Sequence, residues 1–358
     1  MFNLLRNNLI DLPINNSLNY FWCSGFMISG FLALQLISGI ILSLLYAADQ
    51  SFSFFIVMEL TNDSLFTWFI RYCHIWGVSF IFIIFIAHIG RGLYYSSYTK
   101  VPVWNIGFIL YILMMVEAFL GYILPWHQMS YWAATVLTSV VQSVPFVGDS
   151  LYNYIVGGFS VSNVTLVRMF AAHIILAFVI VFFAVLHLFY LHKTGSNNSL
   201  FMNNGYTDCT YFHSFYTSKD LFCLSFLFMV CLFFILYSPD LFLDVESYLA
   251  ADPLVTPASI KPEWYFLFYY AMLRSISSKI GGLVLVIVFL FLFWIPTNNY
   301  SCVYCIFRQS LFWFILCNLI LLSYLGACSP ELPYSVISQI SSLLTVLSLF
   351  LYKFFWTY

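Results

Sequence analysis

The sequence predicts an all-α, polytopic membrane protein with about eight transmembrane helices. The chain is 63% hydrophobic and only 7% charged, with a mean hydropathy of +0.94, whereas soluble domains carry roughly 25% charged residues. Long apolar runs recur along the whole chain, and four histidines lie inside these runs at a repeated spacing. Together these observations exclude a soluble globular domain and indicate chemistry inside the bilayer.

Each predicted helix corresponds to an apolar run of about 17–29 residues, long enough to cross ~30 Å of hydrocarbon. The eight runs lie near residues 20–46, 67–95, 105–125, 165–191, 220–238, 280–296, 311–326 and 336–356. The segment before the first run, from Met1 to Asn16, has one arginine, one aspartate and no cleavable apolar core. We therefore expect a surface segment there rather than a signal peptide, so that the first run remains a membrane span.

A polar stretch from Lys193 to Lys219 divides the predicted helices into two groups of four. We expect an N-terminal four-helix part over residues 1–205 and a C-terminal four-helix part over residues 206–358. The formal net charge is −2 and no basic run is present, which argues against a nucleic-acid partner.

The loops predict an orientation. An even number of spans places both termini on one side, and most lysines and arginines fall on that side once Arg71 and Arg168, which lie near histidines, are set aside. Basic residues mark the electrically negative face, so the termini are predicted there. Two long loops on the opposite, acidic face, about 127–163 and 239–279, contain glycine, proline and short amphipathic stretches and are expected to carry surface helices.

Two histidine pairs, His74 with His88 and His173 with His187, share a spacing of fourteen residues. On an α-helix this spacing separates two side chains by roughly 21 Å while rotating them only about 40° from the same face. Two such helices placed face to face would oppose their imidazoles at two depths, which suits the axial ligands of two stacked haems. A structural alternative is that each imidazole is hydrogen-bonded to a neighbour, as in a transporter without haem.

Glycines repeat the same spacing in the first and third spans, at Gly25 with Gly39 and at Gly107 with Gly121. Close helix packing is one explanation. The other is a four-helix bundle in which the two glycine helices leave room for flat macrocycles beside the histidine helices. Arg71 and Arg91 each lie three residues from a histidine, near opposite ends of one helix, where guanidinium groups could pair with haem propionates; snorkelling is the ordinary alternative.

Several segments resemble one known family closely. They are Arg71-Tyr72-Cys73-His74, His88-Ile89-Gly90-Arg91-Gly92-Leu93-Tyr94-Tyr95, Gly121-Tyr122-Ile123-Leu124-Pro125-Trp126, Gly157-Gly158-Phe159-Ser160 and Lys261-Pro262-Glu263-Trp264-Tyr265. In this order they look like cytochrome b of the mitochondrial and bacterial cytochrome bc1 complex, respiratory complex III. The likeness covers nearly the whole chain, and both histidine pairs coincide with the Pro-Glu-Trp-Tyr motif.

The resemblance implies the cytochrome b subunit of ubiquinol:cytochrome c reductase. In that reaction ubiquinol is oxidised at a positive-side site, and one electron passes through two b haems to a quinone-reduction site on the negative side, coupled to proton translocation in a Q cycle. His74 with His173 would ligate the low-potential haem, and His88 with His187 the high-potential haem. The implied partners are the Rieske iron–sulfur subunit, cytochrome c1 and the other complex III subunits, in a dimeric complex of the lipid bilayer. The implied location is the mitochondrial inner membrane, with the bacterial plasma membrane as the alternative.

The resemblance also assigns the quinone sites. At the positive-side site Glu263 would accept a proton from quinol, next to Trp264 and Tyr265. The wall of that pocket would be formed by Phe119, Tyr122, Tyr131, Ala133 and Tyr270. At the negative-side site the matching positions are His192, Ser196 and Asp220, whose polar groups could hydrogen-bond the quinone carbonyls and transfer protons.

Three positions depart from the family pattern. His127 and Ala133 stand where glycines are usual, and the Ala133 methyl group predicts reduced sensitivity to methoxyacrylate inhibitors. Glu117 lies in the middle of the third span where the family has a small or hydroxylic residue, so its side chain must be neutral, paired or in contact with water, and we expect it to be protonated.

A different enzyme class remains as an alternative. A transmembrane di-haem ferric or ascorbate-type reductase would also use paired histidines, but it needs a substrate site, and the sequence has no dinucleotide-binding glycine motif. Cys302 and Cys305 form one CxxC without a second pair, which is weak evidence for a zinc or redox site.

Overall fold

The computed structural model describes residues 6–200, 208–297 and 304–354, and most of them are helical. The α-helices are α1 (Ser24–Leu45), α2 (Ser53–Asn62), α3 (Leu65–Tyr94), α4 (Val101–Ile123), α5 (Gln128–Gln142), α6 (Gly148–Val156), α7 (Asn163–Thr194), α8 (Phe212–Tyr237), α9 (Leu267–Arg274), α10 (Lys279–Trp294), α11 (Ile306–Ala327) and α12 (Tyr334–Phe354). The all-α fold class is confirmed.

Seven helical segments in the described part of the chain are long and apolar enough to cross a membrane. They are Tyr20–Leu45, Leu65–Tyr94, Val101–Ile123, Asn163–Thr194, Phe212–Tyr237, Ile306–Ala327 and Tyr334–Phe354. The remaining predicted span is α10, which is apolar but has only 16 residues, about 24 Å of helix. All eight predicted apolar runs are therefore helical, and one of them is shorter than a typical span.

Local sequence signals explain where the long helices begin. Ser64 caps α3 by accepting a hydrogen bond from the backbone N–H of Thr67. Ser162 and Thr165 form a reciprocal capping box at the start of α7, which satisfies backbone donors that the helix leaves unpaired. A proline lies in the first turn of α4, where its missing N–H is harmless.

The first four spanning helices form two closely packed pairs. Helix α1 packs along α3, and α4 packs along α7. Because α3 and α7 carry the histidine pairs, each histidine helix has one companion helix. The loop between α4 and α7 contains α5 and α6, and the loop between α8 and α10 contains α9.

The C-terminal helices pack against the first bundle. Helix α8 contacts α3 and α1, while α9, α11 and α12 pack on one another. Arg308 of α11 is buried and donates to the carbonyls of Leu93 and Tyr94 and to Ser96 Oγ. This guanidinium group therefore satisfies carbonyls at the C-terminal end of α3, which the helix itself leaves unpaired.

One feature was not predicted from the sequence. Strand β1 (Pro13–Asn15) pairs antiparallel with strand β2 (Cys209–Tyr211), so that Pro13 lies opposite Tyr211. Three residues give too short a run for an alternating pattern to be recognised. The pair joins the segment before α1 to the start of α8.

Candidate functional site

The four repeated histidines face one another in two pairs. The ring centroids of His74 and His173 are 6.3 Å apart with an interplanar angle of 86°. Those of His88 and His187 are 6.4 Å apart at 59°. The repeat of fourteen residues on α3 and α7 therefore gives two imidazole pairs, one above the other along the bundle.

The separation of each pair matches two ligands of one metal ion. An imidazole nitrogen bound to a first-row metal lies about 2 Å from it, and the nitrogen lies ~1.1 Å from the ring centre, so two axial rings have centroids roughly 6 Å apart. Imidazoles in direct hydrogen-bond contact would lie closer together. Both measured separations, 6.3 and 6.4 Å, fit a shared iron between the rings.

Each repeated glycine faces one of these imidazoles. A Cβ atom added at Gly25 would lie 3.6 Å from Cε1 of His88, and one at Gly39 would lie 3.1 Å from Cε1 of His74. On α4 a Cβ at Gly107 would lie 3.0 Å from Cε1 of His187, and one at Gly121 would lie 2.7 Å from Cε1 of His173. The missing side chains of these glycines were predicted to leave room for a macrocycle. In the structure, an imidazole ring lies against each glycine.

Two serines of α1 orient the histidines of α3. Ser38 Oγ lies 3.0 Å from Nδ1 of His74, and Ser24 Oγ lies 2.9 Å from Nδ1 of His88. Each hydroxyl donates its own proton to a nearby backbone carbonyl, so its oxygen accepts the Nδ1–H of the imidazole. His88 Nδ1 is also 3.4 Å from Arg91, a longer contact than the serine. The remaining nitrogen, Nε2, is then unprotonated and available to a metal ion.

The corresponding groups of α4 differ from each other. Nδ1 of His173 lies 2.9 Å from Oε1 of Glu117 and 3.1 Å from its backbone carbonyl oxygen. Among the described residues, Nδ1 of His187 has no hydrogen-bond partner of good geometry, although the backbone of Val103 is close enough to interact with it. This contact supports a paired carboxyl group for Glu117 rather than the protonated one expected from the sequence.

These orienting groups were not predicted, yet the sequence contains a signal for them. Ser24 and Ser38 are fourteen residues apart, each one residue before a repeated glycine. Val103 and Glu117 are also fourteen residues apart, each four residues before a repeated glycine. The fourteen-residue spacing of the histidines is therefore shared by the residues that contact their Nδ1 atoms.

Arg71 and Arg91 lie at opposite ends of α3, as their sequence positions require. Arg71 donates to Oγ1 of Thr61 at 2.8 Å. The guanidinium carbon of Arg91 lies 5.3 Å from the Trp22 ring centre, and its buried Nε has no hydrogen-bond partner among the described residues. An unpaired buried guanidinium N–H fits an additional anionic group, as the carboxylate of a haem propionate would be.

The predicted proton acceptor Glu263 lies in a cluster of polar side chains on the acidic face. Burial raises the pKa of Glu263 to about 7, and the charge of Asp244 adds to this effect, while Lys261 opposes it. Lys261 Nζ is 3.1 Å from Oδ2 of Asp244. The pKa of Tyr265 is raised well above its ordinary value by burial and by the charge of Glu263. Glu263 therefore exchanges its proton close to neutral pH.

Aromatic side chains enclose this cluster. Tyr265 is buried and stacks on Phe82, with ring centroids 4.0 Å apart. Tyr122 interacts electrostatically with both Glu263 and Tyr265. Glu263 begins a short helical turn, Trp264–Phe266, but makes no side-chain cap hydrogen bond there. Its carboxyl group is therefore not engaged in helix capping.

The other predicted wall residues are distributed around α5 and α9. Phe119 and Tyr131 belong to one apolar cluster, and Ala133, two residues beyond Tyr131, is partly buried. The hydroxyl of Tyr270 donates to the carbonyl of Ile260 at 3.0 Å. Arg274 covers the Tyr270 ring at 4.2 Å.

His127 caps helix α5. Its Nδ1 accepts the backbone N–H of Ser130 at 3.0 Å, and its ring meets Tyr122 edge to face at 5.4 Å. Burial lowers the pKa of His127 to about 3, and the charge of Arg71 adds to this effect. The imidazole is therefore neutral at physiological pH, and its nitrogen replaces the usual oxygen of a helix cap.

Two of the three predicted negative-side residues, Asp220 and Ser196, lie near the start of α1. Asp220 is buried and interacts with the side chain of Cys23. His192 is in the last turn of α7, and Ser196 lies just beyond that helix. The indole N–H of Trp22 donates to the carbonyl of Asn197 at 2.9 Å. This hydrogen bond holds the segment containing Ser196 next to Trp22, which precedes Cys23 in the sequence. Of the predicted CxxC, Cys302 lies outside the described residues.

These features define a class of protein: a polytopic membrane protein whose bundle presents two opposed histidine pairs. Sequence comparison resolves the family. The family described as cytochrome b/b6/petB matches residues 9–195, and the C-terminal cytochrome b/b6/petD family matches residues 250–346. The cytochrome b of Brachionus plicatilis is 41% identical over 348 residues, covering 96% of this chain and 92% of that protein.

Structural comparison agrees with the sequence comparison. A chain of a hyperthermophilic respiratory complex III superposes with a TM-score of 0.91 at 27% identity, covering 99% of this chain and 97% of that chain. The chain belongs to the cytochrome b family. Q-cycle electron transfer and proton translocation follow from this membership, so the function predicted from the motifs is confirmed and the ferric or ascorbate-type reductase is not favoured.

Proposed function

We propose that the chain is the catalytic cytochrome b subunit of a ubiquinol:cytochrome c reductase, with two haem b groups as its cofactors. The observation that carries the proposal is the opposition of His74 to His173 and of His88 to His187 at separations suited to a shared iron. When bound, the haems supply one-electron carriers at two depths, so that one electron of each quinol crosses the membrane while the other goes to an iron–sulfur partner.

The side chains of the bundle prepare both haem sites. His74 with His173 would hold the low-potential haem and His88 with His187 the high-potential haem. At His74, His88 and His173 the orienting groups accept the Nδ1–H, which leaves Nε2 free as a ligand. The two arginines of α3 would neutralise propionates, and the four repeated glycines allow the imidazoles to seat against α1 and α4.

At the positive-side site, Glu263 accepts a proton from quinol. A carboxyl group whose pKa is about 7 is a suitable base near neutral pH, because both of its protonation states are populated there. Tyr265 and Tyr122 line the same pocket. Phe119, Tyr131, Ala133 and Tyr270 would form the remaining wall.

At the negative-side site, His192, Ser196 and Asp220 bind the quinone that is reduced. The imidazole and the hydroxyl are suited to donating hydrogen bonds to quinone carbonyls, and the buried carboxyl group of Asp220 to delivering a proton. Asp220 lies beside Cys23, and Ser196 precedes the residue that binds Trp22. The contacts of Asp220 and of the segment after Ser196 support a site near one end of α1, to which we also assign His192 from the last turn of α7.

The assembly we propose around the chain has a Rieske iron–sulfur subunit and cytochrome c1 as electron-accepting partners, in a dimeric complex III of the mitochondrial inner membrane. Both termini would face the negative side. Residues 1–205 would form the haem-binding part, and residues 206–358 the part with the Pro-Glu-Trp-Tyr loop, which contributes Glu263 to the positive-side site.

Replacement of single ligands tests the proposal. In the assembled complex, H173A or H187A should each remove one b-type centre from the reduced-minus-oxidised spectrum. His213 is exposed and lies outside the four ligands, so H213A is the matched control and should leave the spectrum unchanged. An unaltered b-type spectrum in both ligand variants would reject the assignment.

A further inference from the structure

The carboxyl group of Glu117 is an unusual partner for a haem ligand. It lies in the middle of α4, with 12% of its side chain exposed, and contacts His173, whose side chain is 19% exposed. One oxygen, Oε1, is 2.9 Å from Nδ1 of His173. The other, Oε2, is buried and has no hydrogen-bond partner among the described residues. The contact with His173 is therefore the principal interaction of this carboxyl group.

The four imidazoles are not equivalent in this respect. His74 and His88 donate to neutral serine hydroxyls. His187 has only the backbone of Val103 near its Nδ1. Within the part of the chain that the structure describes, His173 alone of the four is paired with an acidic side chain. An acidic partner is therefore present in the pair His74 with His173 and not in the pair His88 with His187.

We propose that Glu117 is a positioning residue that tunes the electron affinity of the haem held by His74 and His173. Its carboxylate accepts the Nδ1–H of His173, fixes the ring tautomer and increases the electron donation of Nε2. The inference rests on the proposed function of His173 as an axial ligand. It goes beyond that function because it assigns to this chain an electrostatic device that separates the potentials of its two haems.

A more basic axial ligand favours the oxidised state of the metal. A hydrogen bond to a charged acceptor is roughly twice as strong as one to a neutral acceptor. In the low dielectric of a membrane bundle this difference is larger than in water. Electron density drawn onto the imidazole stabilises the higher charge of ferric iron, so the haem accepts an electron less readily. Glu117 therefore lowers the potential of one haem and has little effect on the other.

The test is a redox titration of the b-type absorbance in the assembled complex. E117Q keeps the length of the side chain and an amide oxygen as acceptor, but removes the charge. We expect the equilibrium constant for one-electron reduction of one haem to increase about tenfold, which is a rise of about 59 mV in its reduction potential. The potential of the other haem should be unchanged. E117A should shift the same haem in the same direction, because the backbone oxygen of Glu117, 3.1 Å from Nδ1 of His173, still holds the ring.

Two further variants distinguish tuning from simple support of the fold. S24A removes the neutral partner of His88 and should leave the haem at His173 unshifted. V103E places a carboxyl group at the position fourteen residues before Glu117, facing His187, and should lower the potential of the opposite haem. The electron paramagnetic resonance signal of the oxidised low-spin haem at His173 should also move in E117Q, because it reports the electronic character of the axial ligand.

The outcomes separate this inference from the proposed function. If H173A retains both haems, the ligand assignment itself is wrong. If H173A loses one haem while E117Q leaves both potentials and both resonance signals unchanged, only the tuning role is overturned. Loss of haem from E117Q and E117A alike would also overturn tuning, because Glu117 would then be required to seat the ligand.

Discussion

Gly121 lies against the imidazole of His173 so closely that no side chain fits between them. A Cβ atom at position 121 would be 2.7 Å from Cε1 of the ring, closer than non-bonded carbon atoms approach, since their optimal separation is about 3.5–4.0 Å. The imidazole is confined on one side by the α4 backbone and on another by its contacts with Glu117. The ring of His74 lies across the bundle, with its centroid 6.3 Å from that of His173.

G121A should therefore lower the haem content of the complex. The added methyl group displaces His173 from its position opposite His74 by several tenths of an ångström or more, which weakens one axial ligand. Changes that disturb the orientation of a metal-bound histidine typically cost roughly 10–100-fold in metal affinity. Haem content per polypeptide is the measurement. G25A is the matched control, because its Cβ would lie 3.6 Å from His88, an ordinary contact, and equal losses in both variants would contradict the argument.

Replacement of Glu263 should slow quinol oxidation without removing haem. With its pKa raised to about 7, the carboxyl group is ionised and able to accept a proton above that pH, and protonated below it. The rate in the native complex is thus expected to fall as the pH drops through 7. E263Q should lose roughly 10²-fold in rate and this pH dependence with it. E246Q, in the same loop, is the control, and an unchanged rate in E263Q would remove Glu263 from the mechanism.

Ala133 should reduce the sensitivity of the positive-side site to methoxyacrylate inhibitors. Its methyl group occupies space that a glycine leaves empty, and one such group in a binding pocket is worth about 10–200-fold in discrimination. A133G is expected to increase inhibitor potency by at least about tenfold while ubiquinol turnover is retained. A negative-side inhibitor, assayed in parallel, should act equally on both proteins. Equal methoxyacrylate potency in the two would show that the methyl group is irrelevant.

His127 should act as a helix cap and not as a proton carrier. Its pKa of about 3 keeps the ring neutral throughout the working pH range, and its Nδ1 accepts the Ser130 N–H. H127N retains a capping acceptor and should preserve both quinol oxidation and heat resistance. H127A should lose about 1 kcal/mol of local stability, measured as earlier thermal inactivation of the complex. A large rate loss in H127N would assign the imidazole a role in proton transfer.

The period of the sequence predicted much of this architecture. Fourteen residues between His74 and His88 fix their relative depth and direction on any regular helix, because helix geometry is independent of tertiary context. The apolar runs located all eight long hydrophobic helices for the same reason. Helix α10, with 16 residues, nearly matches its predicted run of 280–296, and it ends before Pro296, because a proline disfavours the helical conformation of the residue that precedes it.

The orienting groups could not be predicted in the same way. Whether Glu117 points toward His173, and whether Ser38 meets His74, depends on which helices are neighbours and on the rotation of each helix about its axis. Those quantities arise from packing of the complete bundle. Periodicity specifies the face of a helix, but the identity of the helix opposite that face is a tertiary property.

The most direct test of the account is a redox titration of b-type absorbance in the purified complex, normalised to the content of this polypeptide. Two haems held by His74 with His173 and by His88 with His187 predict two resolved one-electron centres of equal amplitude per chain. A single centre, or no b-type absorbance at all, would contradict the paired-ligand architecture on which the proposed function depends.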